Sequence, residues 1–368
     1  MKLILGGLFV LLTLEQQLMA MPPVQKVFVI VMENQGWSAF KGNPSAPYIN
    51  GTLLPAASYC ERFYAIPGLH PSEPNYLWME AGTNFGIFDN NDPSINHQNT
   101  TNHLVAQLRA AGISWKTYQE DISGTYVPLV STNLYTPRHN PFVYFDDVTG
   151  TNNPNDAYGI AHIRPYSELA ADLAGNTVAR YNFIKPNLCN DGHDSCAPLY
   201  NPVSQVDAWL AAEVPAILNS QAWSNNGALF ITWDESFDDS PIGMIVLSPL
   251  IRSGGYFNSI PYTLSSMLRT LQEVFGVRPY LGDAALAKDL SDLFIGLRFT
   301  RVHRHPNGQV ELTATVLQTN RLHLVQASTD LVNWTAIHTN GSASSGFIFT
   351  DVAAATMDLR FYRLVQLP

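Results

Sequence analysis

The stretch Val27-Phe28-Val29-Ile30-Val31-Met32-Glu33-Asn34 decides the fold of this chain. Six apolar residues, most of them β-branched, run without a break and stop at a carboxylate and a carboxamide. Such a run predicts a strand that is buried on both faces, as in the centre of a parallel sheet. Because open α/β sheets bind ligands just beyond the carboxyl ends of these strands, Glu33 and Asn34 are expected at a binding site.

A second apolar run, Ala228 to Trp233, ends in the same way on Asp234 and Glu235. If the two strands are neighbours, three carboxylates and one amide oxygen converge, and a cation would hold them together. The alternative for Asp234 and Glu235 is a solvated turn, since polar residues follow them. The residues before them, however, are too apolar to end anywhere but at a sheet edge.

Strand-like and helix-like segments alternate along most of the chain. Further buried strands are predicted at 178–184 and 243–249, and helices at 100–112, 206–218 and 262–275. This alternation predicts an α/β fold with a mostly parallel sheet flanked by helices. The turn-rich segment 121–165 lacks periodicity and is predicted to be a long surface excursion near the site.

From about residue 297 the pattern changes to short stretches of period two, which predict a small all-β sandwich. The charge balance changes at the same place, because residues 297–368 hold six Arg and four acidic residues in a chain of net charge −10. We expect a signal peptide at 1–21, a catalytic domain at 22–296 and a β-sandwich accessory domain at 297–368.

The composition excludes two classes of partner. With 14% charged residues and a net charge of −10, the chain offers no electrostatic footprint for nucleic acid or for an anionic membrane surface. Lys2 and the apolar stretch 3–14 are typical of a secretory signal that is too short to span a bilayer. The alternative is an amphipathic first helix of the mature fold. We expect a secreted or periplasmic protein without stable membrane insertion.

Three cysteines are present, at positions 60, 189 and 196. In an oxidising compartment Cys189 and Cys196 would close a small loop around polar residues, so a disulfide is favoured there, with Cys60 free and buried. A thiolate metal site is the weaker interpretation, because neither pair has the two-residue spacing of zinc ligands.

Ser72 stands at the start of a predicted helix, after the Pro-rich and Gly-rich stretch 66–71. One interpretation is structural, with Ser72 as the N-cap of the helix. The other is functional, with the helix N-terminus stabilising an alkoxide and the phosphate that it attacks. No Ser lies in a Gly-x-Ser-x-Gly elbow, which argues against an ordinary serine hydrolase.

Five motifs occur in a fixed order: Val31-Met32-Glu33-Asn34, His70-Pro71-Ser72-Glu73-Pro74-Asn75-Tyr76, Arg138-His139-Asn140-Pro141-Phe142, Pro186-Asn187-Leu188-Cys189-Asn190-Asp191-Gly192-His193-Asp194 and Thr232-Trp233-Asp234-Glu235. Together they resemble the phosphoesterase family, which holds bacterial acid phosphatases and phospholipase C-type enzymes within the alkaline-phosphatase-like superfamily. The resemblance covers roughly residues 24–294, and the C-terminal β module lies outside it.

The resemblance implies a phosphate ester substrate and a divalent metal ion held by Glu33, Asn34, Asp234 and Glu235. Ser72 would be the nucleophile, touch the metal and form a phosphoserine that water then hydrolyses. All-oxygen ligation suits Mg, Ca or Mn, and Zn also accepts carboxylates, so the identity of the metal stays open.

Further roles concern residues around this centre. Asn75, one helical turn after Ser72, would donate its amide to a phosphoryl oxygen. His139 and His193 would protonate the leaving alkoxide or bind phosphate. Asn140 and Asp194 would orient them and belong to the substrate-binding residues. For each histidine, a solvated loop side chain is the alternative.

Three functions are compatible with these motifs. The first is a secreted, metal-dependent phosphomonoesterase of the acid phosphatase type. The second keeps the site but cleaves a phosphodiester or a phospholipid head group, because leaving-group preference depends on loops. The third is a catalytically decayed binding protein whose C-terminal domain contacts glycan or a cell surface. Leu264 favours the third, because family members often carry a His at this place before the helix.

Overall fold

The computed structural model describes residues 21–252, 254–294, 298–315, 322–341 and 346–366. The predicted signal peptide, residues 1–21, lies outside the described residues apart from its last position.

The strands are β1 Lys26–Met32, β2 Ser58–Cys60, β3 Phe63–Tyr64, β4 Trp115–Gln119, β5 Ile163–Pro165, β6 Tyr181–Lys185, β7 Gly227–Trp233, β8 Met244–Leu247, β9 Tyr256–Asn258, β10 Tyr262–Thr263, β11 Arg298–Arg304, β12 Val310–Thr315, β13 His323–Ser328, β14 Thr335–Asn340, β15 Gly346–Asp351 and β16 Phe361–Gln366.

The α-helices are α1 Trp37–Phe40, α2 Leu54–Ala56, α3 Ser72–Ala81, α4 Pro93–Asn96, α5 Leu104–Ala110, α6 Asp146–Thr149, α7 Ala157–His162, α8 Leu169–Ala174, α9 Pro202–Leu218, α10 Gln221–Ser224 and α11 Leu264–Phe275. Shorter 3-10 or π turns lie at Ile49–Leu53, Pro137–His139, Pro141–Tyr144, Tyr166–Glu168, Gly282–Ala285, Ser291–Leu293 and Val352–Thr356.

Eight strands form one mixed sheet in the order β5-β4-β6-β1-β7-β8-β2-β9. The five strands from β5 to β7 run parallel, and β8 pairs antiparallel with both of its neighbours. The predicted mostly parallel α/β sheet is therefore confirmed. Strand β1 lies in the middle, and its apolar residues are fully buried, as a strand covered on both faces requires.

The helix that carries Ser72 has well-defined ends. Pro71 is the N-cap residue of α3, and Gly82 ends the helix in the left-handed conformation with φ +67°. A Cβ at Gly82 would come within 2.4 Å of the Leu281 carbonyl oxygen, so the close approach of these two segments requires glycine. Helix α11, which contacts α3, begins at Leu264, and this side chain is fully buried in the hydrophobic core.

The predicted surface excursion at 121–165 is wrong in part. Residues 142–145 are buried almost completely, and β5 extends the sheet at one edge. The aromatic side chains of this segment are placed by a 3-10 turn and the short helices α6 and α7. Such short elements give no lasting periodicity, which is why the sequence pattern resembles that of a surface loop.

The C-terminal segment contains two three-stranded antiparallel sheets, β11-β12-β15 and β14-β13-β16. Both sheets contribute to one apolar cluster, which includes Phe299, Leu312, Val325 and Leu364. The predicted all-β sandwich is confirmed, and it includes β11 and β14, which the alternation had not singled out.

Candidate active site

The candidate site lies at the carboxyl edge of the parallel strands. In the order β6-β1-β7, each strand ends at this edge with a charged residue: Lys185 is the last residue of β6, Glu33 follows β1, and Asp234 follows β7. Met32 pairs in register with Trp233, so the two predicted ligand strands are direct neighbours. Glu33 consequently has an ammonium on one side and two carboxylates on the other.

Ser72 is buried at the first turn of α3, where it faces the carboxylates. Its Oγ lies 3.2 Å from Glu235 Oε1 and 3.4 Å from Glu33 Oε2. The N-cap position belongs to Pro71, and no side chain caps the helix. Ser72 is therefore not an N-cap, and its single proton is directed at a carboxylate oxygen from one of the two ligand strands.

Asp234 and Glu235 are buried, which excludes the alternative of a solvated turn. Asp234 Oδ1 accepts the backbone N–H of Asn34 at 3.0 Å, and Asn34 adopts a left-handed conformation with φ +46°. Glu235 Oε2 contacts His70 Nδ1 and lies 3.5 Å from Asn75 Nδ2. The four predicted metal ligands thus lie on two adjoining strand ends.

The electrostatics of this group favour a bound cation. Burial, together with the charges of Glu33 and Glu235, raises the pKa of Asp234 well above its ordinary value. Burial also raises the pKa of Glu235, although His70 opposes this. Asp234 Oδ2 is buried without a hydrogen-bond partner in the described part of the chain. Crowded carboxylates and an unpartnered oxygen are the donor set that a hard divalent cation satisfies, so the residues fit a metal ion.

On the far side of Glu33, three side chains form a buried cluster that sequence reasoning missed. Lys185 Nζ lies 2.9 Å from Glu33 Oε1 and 2.7 Å from Asp191 Oδ2, and Tyr76 OH donates to Glu33 Oε1. Burial would lower the pKa of Lys185, but Asp191 and Glu33 raise it above its ordinary value. The signal in the sequence was Lys185 itself, because a charged residue ends the buried strand here just as Glu33 ends β1.

His139 reaches the same cluster from the segment before α6. Its Nε2 lies 3.3 Å from Glu33 Oε2 without hydrogen-bond alignment, and its Nδ1 lies 3.6 Å from Asp191 Oδ2. Glu33, His139 and Asp191 thereby offer ligand atoms within 4.8 Å of one another, a spacing that a metal would accept. Burial lowers the pKa of His139 well below its ordinary value, so the imidazole is neutral at neutral pH.

His193 lies at the outer side of this group, with its ring centroid 5.7 Å from that of His139. His193 Nδ1 lies 2.7 Å from Asp194 Oδ1, and Arg138 Nη2 lies 3.4 Å from His193 Nε2. Because a guanidinium only donates, this geometry assigns the proton to Nδ1 and the lone pair to Nε2. Asp194 contacts His193 as expected.

Asn140 differs from the expectation that it would orient a histidine. Its Nδ2 donates to Tyr135 OH at 3.0 Å, and its Oδ1 is buried without a partner among the described residues. The sequence gave no indication of the contact between Asn140 and Tyr135, because Tyr135 lies on the preceding turn-rich segment.

Asn75 donates to the Leu69 carbonyl oxygen at 2.7 Å, so its amide lies beside the first turn of α3.

The predicted Cys189–Cys196 disulfide is present, and Cys60 is free and buried, as expected. The disulfide closes the loop that carries Asp191 and His193. In the described ranges we find no helix with the length and apolar character needed to cross a membrane.

Comparison with known proteins places these motifs in context. The model of the Phosphoesterase family matches residues 45–278. A phosphatidylinositol-3-phosphatase of Mycobacterium tuberculosis is 31% identical over 277 residues, which is 75% of this chain and 84% of that protein. An acid phosphatase of Aspergillus niger is 30% identical over 56% of this chain, and the chain spans about half (46%) of that relative's length.

Among solved structures, the phosphonate monoester hydrolase of Agrobacterium radiobacter has 11% sequence identity and a TM-score of 0.47. The match covers 79% of this chain and 80% of that one.

Proposed function

Because the chain belongs to the phosphoesterase family, hydrolases that act on phosphate esters, we propose that it is a phosphomonoesterase with the Ser72 hydroxyl as the attacking group. One observation carries the proposal. Ser72 Oγ is buried at a helix N-terminus, within 3.4 Å of carboxylates from two adjacent strand ends. A capping or core serine has no need of two carboxylate neighbours, whereas a serine that attacks phosphorus beside a metal ion does.

Glu33, Asn34, Asp234 and Glu235 would hold a divalent cation. When bound, the cation would polarise a phosphoryl oxygen and lower the pKa of the attacking hydroxyl. All the proposed donor atoms are oxygens, which supports Mg, Ca or Mn and leaves Zn open. Asn75, on the same helical turn as Ser72, would direct its amide at a phosphoryl oxygen of the substrate.

His193, the outer histidine, would transfer protons during the reaction. With its Nδ1 proton held toward Asp194, His193 would act through Nε2. A protonated Nε2 would give its proton to the leaving oxygen, and the neutral Nε2 that remains would then take a proton from the attacking water. Arg138, next to Nε2, adds positive charge on the side where phosphate would enter. His139 is buried and neutral, so its role would be to bind rather than to donate from an imidazolium. Asn140 stays a predicted substrate-binding residue.

The substrate proposal rests on two relatives with different names. One is named an acid phosphatase and one a phosphatidylinositol-3-phosphatase, and these two names support a phosphomonoester as the substrate here. A phosphodiesterase or phospholipase C-type activity is the alternative. The third interpretation, a decayed binding protein, loses support because Ser72 and its four ligand positions converge.

We further propose that the protein is exported. The Cys189–Cys196 disulfide is of the kind that persists in oxidising compartments, in agreement with a signal peptide at 1–21. The division into a catalytic domain at 22–296 and an accessory domain at 297–368 agrees with separate apolar cores. Contact of the accessory domain with glycan or a cell surface stays a prediction.

The test is phosphate release by the purified mature protein from p-nitrophenyl phosphate and from bis(p-nitrophenyl) phosphate. Wild type, Ser72→Ala and Ser220→Ala are compared, with and without chelator and with each divalent metal restored. Ser220 is the matched control, because it is an N-cap serine whose side chain accepts from Trp223 N.

We expect turnover of the monoester by wild type and Ser220→Ala, loss by roughly a thousandfold or more in Ser72→Ala, and loss on chelation that a metal reverses. Preference for the bis ester would select the phosphodiesterase alternative. Full activity of Ser72→Ala would overturn the proposed nucleophile, and full activity in chelator would overturn the proposed metal.

A further inference from the structure

The buried cluster around Lys185 bears on how many metal ions the site holds. We propose that Lys185 is a built-in cation that occupies the place of a second metal ion and fixes Glu33, so that the site binds one divalent ion. The inference rests on the proposed function, because it concerns the residues that would hold the proposed metal.

The first step is the state of Glu33 Oε1. This oxygen has two lone-pair directions, and it accepts from Lys185 Nζ at 2.9 Å and from Tyr76 OH. Both directions are used, so Oε1 has no capacity left for a metal ion. Glu33 Oε2 faces the other way, toward Ser72 Oγ at 3.4 Å and His139 Nε2 at 3.3 Å. Lys185 and Tyr76 thus make Glu33 a ligand through one oxygen, on the side of Asp234 and Glu235.

The second step is the state of Lys185. Its three N–H donors match three acceptors: Glu33 Oε1, Asp191 Oδ2 at 2.7 Å and the Val31 carbonyl oxygen at 3.3 Å. The Nζ atom also lies 5.5 Å from the ring centroid of Tyr76. A fully buried ammonium with every donor used is held in one place, because releasing any acceptor would leave a buried N–H group without a partner.

The third step concerns the triad Glu33, His139 and Asp191, whose ligand atoms have a spacing suited to a metal. Two of its three carboxylate and imidazole groups already pair with Lys185 Nζ. A metal ion bound to this triad would therefore lie beside an ammonium that shares its ligands, and the two positive charges would repel. Lys185 supplies the positive charge that the triad would otherwise take from a metal ion.

The sheet places Lys185 and the proposed metal ligands Asp234 and Glu235 on opposite sides of Glu33. Strand β6 delivers Lys185 from one side of β1, and β7 delivers Asp234 and Glu235 from the other. Lys185 is accordingly a positioning residue: it acts through Glu33 and has no direct part in the proposed chemistry.

The test is the stoichiometry of Mn²⁺ binding, measured by equilibrium dialysis of chelator-treated protein followed by elemental analysis. We expect one equivalent in wild type and two in Lys185→Met, the second one weaker. The double variant Lys185→Met/Asp191→Asn should return to one equivalent. Lys116→Met is the matched control and should bind one, since Lys116, on the neighbouring strand β4, pairs with Asp172 of helix α8, away from the site.

A further variant keeps the inference testable if Lys185→Met does not fold. Asp191→Asn alone should still bind one equivalent, with a dissociation constant within about tenfold of wild type, because Asp191 pairs with Lys185 and does not hold the ion. Two equivalents in wild type, one in folded Lys185→Met, or none in Asp191→Asn would each overturn the role of Lys185. No bound Mn²⁺ in wild type would instead overturn the proposed metal site, and this inference with it.

Discussion

Glu73, the residue after Ser72, gives the protein a pH-dependent stability that one substitution should remove. Its side chain is fully buried, Oε1 accepts from Asn96 Nδ2 at 2.8 Å, and Oε2 has no partner in the described ranges. Burial raises the pKa of Glu73 to about 8, against the effect of the hydrogen bond from Asn96. The folded protein therefore keeps this carboxyl protonated at a pH where the unfolded chain has released the proton.

The sign follows from proton linkage. Between the ordinary pKa of 4.5 and about 8, the folded state binds more protons at this position than the unfolded state, so the free energy of unfolding falls as the pH rises. At about 1.4 kcal/mol per pH unit, the interval from pH 5 to pH 8 corresponds to a loss on the order of 4 kcal/mol. Glu73→Gln releases no proton, so the loss should disappear.

The assay is urea denaturation of wild type, Glu73→Gln and Glu213→Gln at pH 5, 6, 7 and 8 with a fixed metal concentration. Glu213 is the matched control, a partly buried carboxylate that accepts from Tyr166 OH at 2.7 Å. We expect Glu73→Gln to gain on the order of 4 kcal/mol over wild type between pH 5 and pH 8, and Glu213→Gln to follow wild type. A relative gain below about 1 kcal/mol, the size of one ordinary hydrogen bond, would refute the reasoning.

Three further predictions concern stability. Chelation should lower the melting temperature by several degrees, because a bound ion at a hundredfold excess over its dissociation constant contributes about 2.7 kcal/mol; an unchanged melting temperature in scanning fluorimetry would contradict a bound metal. Tyr76→Phe removes one donor to Glu33 and should lower the free energy of unfolding, measured by urea denaturation, by on the order of 1 to 3 kcal/mol. A variant as stable as wild type would show that this hydrogen bond does not contribute to stability. Reduction of the Cys189–Cys196 disulfide, whose cysteines are 7 residues apart, should cost about 2.5 kcal/mol by loop-closure entropy. Equal denaturation midpoints with and without reductant would contradict that.

The centre of the sheet was predictable because its sequence signal is local. An apolar run that stops on a carboxylate predicts both a buried strand and the place where it ends, and β1 and β7 follow this rule. The sequence could not show that β1 and β7 are neighbours, because the order of strands in a sheet depends on crossover connections that periodicity does not show. The pairing of Met32 with Trp233 shows that they are.

The sequence marks Lys185 as a charged residue at the end of a buried strand, but it did not show which residues Lys185 contacts around Glu33. Tyr76, Lys185 and Asp191 are far from Glu33 along the chain, and each alone has an ordinary structural explanation. Only the three-dimensional arrangement shows that Tyr76 and Lys185 both bind the Glu33 carboxylate, and that Asp191 binds the Lys185 ammonium. The burial of Phe142, Tyr144 and Phe145 was also not predicted, because a 3-10 turn places this segment without a repeating pattern in the sequence.

The central claim is that Ser72 attacks phosphorus beside a metal ion, and trapping the intermediate tests it most directly. The enzyme is quenched in acid during turnover of p-nitrophenyl phosphate, digested and analysed by mass spectrometry. We predict one phosphoryl group on Ser72 in the metal-loaded enzyme, and none in the chelated enzyme. Steady turnover that depends on the metal but never labels Ser72, even under the fastest quench, would contradict the claim.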